Sequence, residues 1–376
     1  MTYKPLRIII SGGGTGGHIF PAISIANKFK ELNPESEILF VGAKGRMEME
    51  KVPAAGYKIV GLPISGLQRK LTPRNLFNDL LVPFKVLISN IKARRIVRNF
   101  APDIAIGVGG YASAPLLNAA EKMHIPALIQ EQNSFAGLTN KLLAKKANCI
   151  CTAYEGMDKF FPADKIVLTG NPIRANIVRA TPEMKAEAVK HFALDPDKKT
   201  LLIVGGSLGC GTLNRTMKKW IEDGKPGGDD VQVIWQCGKY YEADIKEFMA
   251  DHKDEKDIHC SAFIDRMDLA YACADLVVSR SGAGSISELC VAGKACIFVP
   301  SPMVAEDHQT HNAMALVNKG AARIIKDDVA TTELMPAALE LIHDKKALTE
   351  IEGKALELAL PQAAQSIVDE AYKILK

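Results

Sequence analysis

The 376-residue chain is predicted to be an α/β protein of two Rossmann-like domains, each built on a parallel sheet. Two observations carry that expectation. Short apolar runs alternate with longer amphipathic stretches, the pattern of parallel strands joined by crossover helices. A strand, glycine turn and helix start also occur twice, as LRIIISGGGTGGHIFPA over residues 6–22 and as TLLIVGGSLGCGTLN over residues 200–214. A prior of about 150 residues per domain leaves room for both copies.

Taken in order, strands are expected at IIIS near residue 8, ILFV near 38, YKIVGL near 57, IAIGV near 104, ALIQ near 127 and CICT near 149. The helix after the first glycine turn should bury Ile19, Ile23, Ala26 and Phe29 on one face. Around IVLTGNPIR (166–174) the rhythm pauses, a polar helix is expected over about 182–192, and the scheme then restarts. Strands follow at VQVIW (231–235), IHCSAF (258–263), DLVVS (275–279) and ACIFVP (295–300). The expected domains are 1–170 and 171–356, with a crevice between them and a last helix, about 357–376, that packs back on the first.

Composition narrows the function. A hydrophobic fraction of 47%, a charged fraction of 24% and a net charge of +4 describe a globular protein too weakly basic to imply nucleic-acid binding. The eight cysteines form no CxxC pair and no zinc spacing with histidine, so they read as thiols in a reducing compartment. No segment reaches 18 uninterrupted apolar residues, and the expectation is a cytosolic protein that does not span a membrane.

The first turn invites a phosphate, because closely approaching backbone N–H groups and a helix dipole both favour an anion. Gly12, Gly14 and Gly17 satisfy GxGxxG, yet the next strand, ILFV, ends in Gly42 rather than in the acid that a dinucleotide ribose needs. The triphosphate loop GxxxxGK[ST] also half matches, but His18 and Ile19 stand where lysine and a hydroxyl are required. What remains is a phosphate-friendly turn with a proton-transferring histidine at the helix entrance.

In the second half, DLVVSRSGAGSISELC opens a helix after a strand. The N–H groups of Ala283 to Ser285 can face a diphosphate, and Glu288 can accept from both hydroxyls of a ribose. The plainer reading makes Ser281 an N-cap and Glu288 an acid complementing the dipole. The polar cluster Glu306-Asp307-His308-Gln309 suits the hydroxyls of a sugar. In the first half, the loops GVGGYASAP (107–115) and QEQNSFAG (130–137) follow strands and bring Gly109, Gly110, Glu131, Gln132 and Asn133 to the crevice. Asp195-Pro196-Asp197 has the form of a metal-binding DxD but precedes a strand, so it reads as a solvated turn and no obligatory metal is expected. Finally, residues 65–100 set Arg69, Lys70, Arg74 and Lys85 beside Leu76, Phe77, Leu80 and Phe84, with Asp79 the single acid. An apolar set beside a basic set suits an interfacial segment on anionic lipid, although much of the apolar set could face the core instead.

Seven motifs in order, GGGTGGHIFPA, GVGGYASAP, EQNSFAG, GNPIR, GGSLG, RSGAGSISE and DHQTHNA, make the whole chain resemble the MurG family of bacterial cell-wall N-acetylglucosaminyltransferases. The resemblance implies a GT-B fold, with the two domains facing across a cleft. It implies an inverting transfer from UDP-N-acetylglucosamine to the C4 hydroxyl of undecaprenyl-diphospho-N-acetylmuramoyl-pentapeptide, lipid I becoming lipid II. It also implies peripheral work on an anionic surface at the cytoplasmic face of the inner membrane, alongside cell-wall synthesis and division proteins. Carried over residue by residue, donor contacts fall on Thr15, Gly16, Gly17, Asn133, Arg174, Ser207, Ile264, Ala283, Gly284, Ser285, Ile286, Ser287, Glu288 and Gln309. Acceptor contacts are expected at Gly13, Gly14, Gly109, Gly110 and Tyr111. An inverting displacement needs a base on the acceptor hydroxyl, for which His18 is the first choice and Glu131 the second. Cys210 and Ala114 depart mildly from the family pattern, where alanine and glycine are common. The alternatives are another GT-B enzyme, such as a glycolipid synthase or a UDP-N-acetylglucosamine 2-epimerase, and, from another class, a dinucleotide-binding oxidoreductase or a non-catalytic nucleotide-binding module.

Overall fold

The computed structural model describes residues 3–64, 82–206 and 208–376. The chain divides into two compact units, Met1–Ile173 with Pro361–Lys376, and Arg174–Leu360.

The first unit runs β1 (Arg7–Ser11), α1 (Gly16–Leu32), β2 (Glu37–Ala43), α2 (Glu48–Ala54), β3 (Lys58–Leu62), α3 (Val82–Phe100), β4 (Ile104–Gly107), α4 (Ser113–Lys122), β5 (Ala127–Glu131), α5 (Leu138–Leu143), β6 (Cys149–Thr152) and β7 (Ile166–Leu168). Its sheet has the order β3-β2-β1-β4-β5-β6-β7, and all pairs are parallel. Helices cover both faces of such a sheet, which is why the central strands read as unbroken apolar runs. Ile8, Ile9 and Ile10 are fully buried. Strand β7 occupies the stretch where the rhythm paused; three residues long and at the sheet edge, with Leu168 exposed, it has too little buried length to register as a periodic signal. Helix α1 buries Ile19, Ala22, Ile25, Ala26 and Phe29. The inward stripe thus passes through Ile25, and Ile23 is only half-buried at its margin.

The second unit begins with α6 (Pro182–Phe192), where the Thr181 hydroxyl accepts from the Met184 N–H at 3.3 Å and Pro182 opens the helix. It continues through β8 (Lys199–Val204), α7 (Gly211–Glu222), β9 (Val231–Gln236), α8 (Glu242–Asp251), β10 (Ile258–Ser261), α9 (Met267–Cys273), β11 (Leu276–Ser279), α10 (Ala283–Ala292), β12 (Cys296–Phe298), α11 (His308–Val317), β13 (Arg323–Ile324), α12 (Ala330–His343) and α13 (Lys345–Glu357). The parallel sheet has the order β10-β9-β8-β11-β12-β13, and Trp235 is its largest fully buried side chain. Strand β13 has two residues, too few for any sequence pattern.

The last helix, α14 (Ala363–Lys373), belongs to the first unit and packs against α1. Ile367, Val368, Ala371 and Tyr372 are buried in the core that also holds Ile19 and Phe29. The Tyr372 hydroxyl donates to the Lys4 carbonyl at 2.6 Å, and the Tyr3 hydroxyl to Asp369 at 2.6 Å.

In both units strand order reverses beside the strand that precedes the glycine turn. In the first, β1 has β2 on one side and β4 on the other; in the second, β8 has β9 and β11. Open α/β sheets hold ligands at the carboxyl ends of the strands flanking such a switch point.

Candidate active site

In the first unit the switch point joins two glycine loops. Gly110 has φ +86°, and a Cβ there would lie 2.5 Å from the Gly13 carbonyl oxygen; Gly109 has φ +97°, and a Cβ there would lie 2.7 Å from Cδ2 of His18. Only glycine permits both the left-handed backbone and the close approach. Gly13, expected on the acceptor, is buried in this packing, whereas Gly14 is exposed with open space above it. Thr15 is the extended N-cap of α1, Gly16 and Gly17 form its first turn, and the Thr15 hydroxyl lies 3.3 Å from His18 Nδ1. Beside this loop, Tyr111 and Phe20 are exposed aromatics, at 48% and 57%.

Sequence reasoning missed Glu48. This residue at the start of α2 is fully buried, and its carboxylate accepts the N–H of Gly14 at 2.9 Å and that of Ala43 at 2.9 Å. An acid does follow β2, but several residues beyond the strand end and turned into the glycine loop, so no ribose can reach it. KGRMEME, directly after the strand, was the available signal.

Glu131 ends β5 and is 2% exposed. Its carboxylate accepts from the Asn133 N–H at 3.0 Å, the Gly137 N–H at 3.0 Å, and the side-chain amides of Asn140 at 2.9 Å and Asn133 at 3.3 Å. The acid therefore staples the EQNSFAG loop. Behind it the Gln132 side chain donates to the Val108 carbonyl at 2.9 Å, and the Asn171 side chain donates to the Gln132 carbonyl at 3.0 Å, fixing the GNP turn to the same strand end.

In the second unit, α10 starts after Gly282, an N-cap with no side-chain hydrogen bond. The plainer reading of Ser281 as N-cap thus fails; its hydroxyl is buried without a hydrogen-bond partner among the described residues. Ala283 and Ile286 are buried, Gly284, Ser285 and Ser287 are half-buried, and a Cβ on Gly284 would meet nothing within 4 Å. Space therefore remains over a helix N-terminus that favours an anion. Glu288 stands in the second turn, past the reach of a first-turn acid. Arg174 grips it in a two-pronged pair, Nε to Oε1 at 2.7 Å and Nη2 to Oε2 at 2.6 Å, and the buried Tyr271 hydroxyl adds a contact at 3.4 Å. Burial disfavours the Arg174 charge, but hydrogen bonds and charge from Glu288 outweigh it and raise the guanidinium above its ordinary range. Burial, with the Glu288 carboxylate adding to it, holds the Tyr271 phenol well above its own. Such a carboxylate is held in one orientation, and Oε1, with the Arg174 Nε–H as its partner, has a second lone pair with which to accept a hydroxyl.

Elsewhere in the unit, Ile264 is buried next to the exposed Phe263, and Gln309 on α11 accepts the Ser301 N–H at 2.8 Å. Glu306 and Asp307, before Gln309, both have positive φ, +54° and +47°, strain of the kind that clusters at ligand-binding loops. Arg280, also missed, ties its guanidinium to the carbonyls of Val299 and Pro300 at 2.8 and 3.0 Å and to Asp327 at 2.5 Å, bracing the loop before α10. Ser207 lies outside the described residues.

Asp197 donates its N–H to the Asp195 carboxylate at 2.9 Å in a turn between α6 and β8, the geometry of a local turn. Among the described residues no three His, Cys, Asp or Glu side chains group to hold a metal ion. Of the basic-apolar segment, Arg69, Lys70, Arg74, Leu76, Phe77 and Leu80 lie outside the described residues. On α3, Ser89, Ala93 and Val97 face inward, while Phe84, Leu87, Ile88 and Ile91 are each more than half exposed. Lys85, Lys92, Arg94, Arg95 and Arg98 are interleaved with that stripe, and a groove of about 480 Å³ is lined by Ile88, Ile91, Lys92, Arg95, Ile96 and Asn99. No helix among the described residues is long and apolar enough to cross a membrane.

The two-unit α/β architecture with glycine turns at both switch points is that of the GT-B fold, and the match of the glycosyltransferase family 28 N-terminal domain to residues 8–152 and of its C-terminal domain to residues 200–367 makes the chain a glycosyltransferase of that fold. The chain is 57% identical over 99% of both lengths to the UDP-N-acetylglucosamine–N-acetylmuramyl-(pentapeptide) pyrophosphoryl-undecaprenol N-acetylglucosamine transferase of Parabacteroides distasonis. It is 52% identical, over 99% of this chain and 98% of the relative, to the protein of that name from Cytophaga hutchinsonii. It therefore belongs to the MurG family of these transferases. Among solved structures, MurG of Acinetobacter baumannii superposes with a TM-score of 0.78 at 30% identity, covering 98% of this chain and all of that one. A UDP-N-acetylglucosamine 2-epimerase, at 16% identity and a TM-score of 0.65 over 98% of this chain and 95% of the other, shares the fold.

Proposed function

We infer that this chain transfers N-acetylglucosamine from UDP-N-acetylglucosamine to undecaprenyl-diphospho-N-acetylmuramoyl-pentapeptide, making the disaccharide lipid of peptidoglycan synthesis. The observation that carries this is near-full-length identity of 57% with a relative bearing that name. The epimerase alternative loses ground because relatives down to 47% identity carry the transferase name.

The donor rests on the second unit. Glu288 takes the ribose hydroxyls, Arg174 holds that carboxylate and stands ready for the diphosphate, and the α10 N-terminus stabilises the leaving UDP without a protein-held metal. Ile264 and Ser207 line the nucleotide, Gln309 takes the sugar hydroxyls, and Thr15, Gly16, Gly17 and Asn133 complete the donor's contacts. The acceptor rests on the first unit against Gly14, Gly109, Gly110 and Tyr111. His18 removes the proton from the C4 hydroxyl as its oxygen forms a bond to the anomeric carbon, and the bond from that carbon to UDP breaks on the opposite face. His18 is favoured over Glu131 because four hydrogen bonds already hold the Glu131 carboxylate in its loop.

The exposed stripe of α3, with its cations, supports peripheral docking on anionic lipid, each basic residue near the surface contributing about 1 kcal/mol. Docking at the cytoplasmic face of the inner membrane puts the enzyme beside its lipid acceptor and beside cell-wall synthesis and division proteins. UDP release from UDP-N-acetylglucosamine, with and without a short-chain analogue of the lipid acceptor, tests the reading. Acceptor-dependent release supports it; release without acceptor would indicate an epimerase or hydrolase.

A further inference from the structure

We propose that Glu48 is a positioning residue for the transfer, a built-in anion behind the β1–α1 turn that sets the loop carrying His18. The inference rests on His18 as the base.

A turn between a strand and a helix N-terminus ordinarily leaves its N–H groups to a ligand phosphate. Here the Gly14 N–H already has an acceptor, the Glu48 carboxylate at 2.9 Å, whose other oxygen takes the Ala43 N–H at 2.9 Å. The two oxygens of Glu48 thus each take a backbone donor, that of Gly14 just before the N-terminus of α1. At 0% exposure it cannot touch either substrate.

From Glu48 the contacts run in one line to the imidazole. A Cβ on Gly13 would overlap the Glu48 carboxylate; one on Gly110 would come within 2.5 Å of the Gly13 oxygen; one on Gly109 would come within 2.7 Å of the His18 ring. At each glycine there is no room for a side chain against the next group, so a shift of the carboxylate passes through the two glycine loops to His18. Such close packing transmits strain rather than absorbing it. Glutamine has the same shape but offers one acceptor oxygen, so its NH₂ group would face an N–H and push it away.

The test is a comparison of kcat for Glu48→Gln, His18→Ala and the double variant, by UDP release at saturating donor and acceptor analogue. Misplacement by about 1 Å costs on the order of 10²-fold, so Glu48→Gln should lose roughly that factor with the KM for UDP-N-acetylglucosamine unchanged. In the His18→Ala background the same change should cost less than about threefold, because residues acting through one group are not additive. If Glu48→Gln does not give a single cooperative melting transition, Glu48→Asp, which keeps the charge but withdraws it by one methylene, carries the same comparison. An equal loss in both backgrounds, or no loss in either, overturns the inference. A fully active His18→Ala overturns the base assignment and this inference with it, and is distinguished by that variant alone.

Discussion

The Arg174–Glu288 pair shows what one carboxylate at the proposed donor site depends on. Its oxygens are held at 2.6 and 2.7 Å by a planar fork that lysine cannot reproduce. Replacing Glu288 with alanine removes hydrogen bonds to charged groups worth roughly 1.5–3 kcal/mol each. The KM for UDP-N-acetylglucosamine should then rise at least about tenfold, and isothermal titration with UDP should show the same weakening. His18 should behave in the opposite way. A general base contributes roughly 10²–10⁴-fold, so His18→Ala should lose that factor in kcat while donor affinity holds, as steady-state kinetics with varied donor would show. Glu288 could be singled out from the sequence because an acid in a strand–glycine–helix run has a known partner chemistry. Glu48 was not singled out, although KGRMEME directly follows β2, because the acid stands several residues past the strand end and its role is set by a fold that brings α2 under the β1 turn.

Helices and strands were legible in proportion to their length and burial. Runs such as Ile8–Ile10 and Leu201–Val204 are buried on both faces and read as strands on hydrophobicity alone, whereas β7 and β13, at sheet edges and two or three residues long, carry no such signal. The first half of α3 turns Phe84, Leu87, Ile88 and Ile91 outward, whereas Ser89, Ala93 and Val97 are buried and Ile96 and Phe100 pack against the core. Substituting serine for Phe84, Leu87 and Ile91 should therefore leave thermal stability nearly unchanged, within about 0.5 kcal/mol per site, while reducing co-sedimentation with anionic vesicles; wild-type binding should fall with added salt. At the end of α12, the Leu339 carbonyl and Asp230 raise the His343 imidazole above its usual range, and His343 in turn lowers Asp230. The histidine's contribution is fully present below about pH 6.5 and is lost as pH rises through its raised value; the aspartate's is present above about pH 3.9 and is lost as pH falls through its lowered one. The melting advantage of wild type over His343→Ala should thus be largest between those limits and shrink by pH 8 in calorimetry, modestly, since both groups are largely exposed to solvent.

At the scale of the molecule, two units of related design each carry a glycine turn at a switch point, and the proposed division of work gives the acceptor and the base to the first and the donor to the second. The proposed mechanism gives the charge of the leaving diphosphate to a helix N-terminus and backbone donors, so turnover should be unchanged when EDTA is added. The central claim is inverting transfer to the muramoyl C4 hydroxyl, and the most direct measurement is the linkage in the product formed from UDP-N-acetylglucosamine and a short-chain lipid acceptor, read by mass spectrometry and the anomeric proton coupling in NMR. A single added N-acetylglucosamine, β-linked at C4, is the predicted result. An α-linked product, attachment elsewhere, or free sugar with the acceptor unchanged would contradict it.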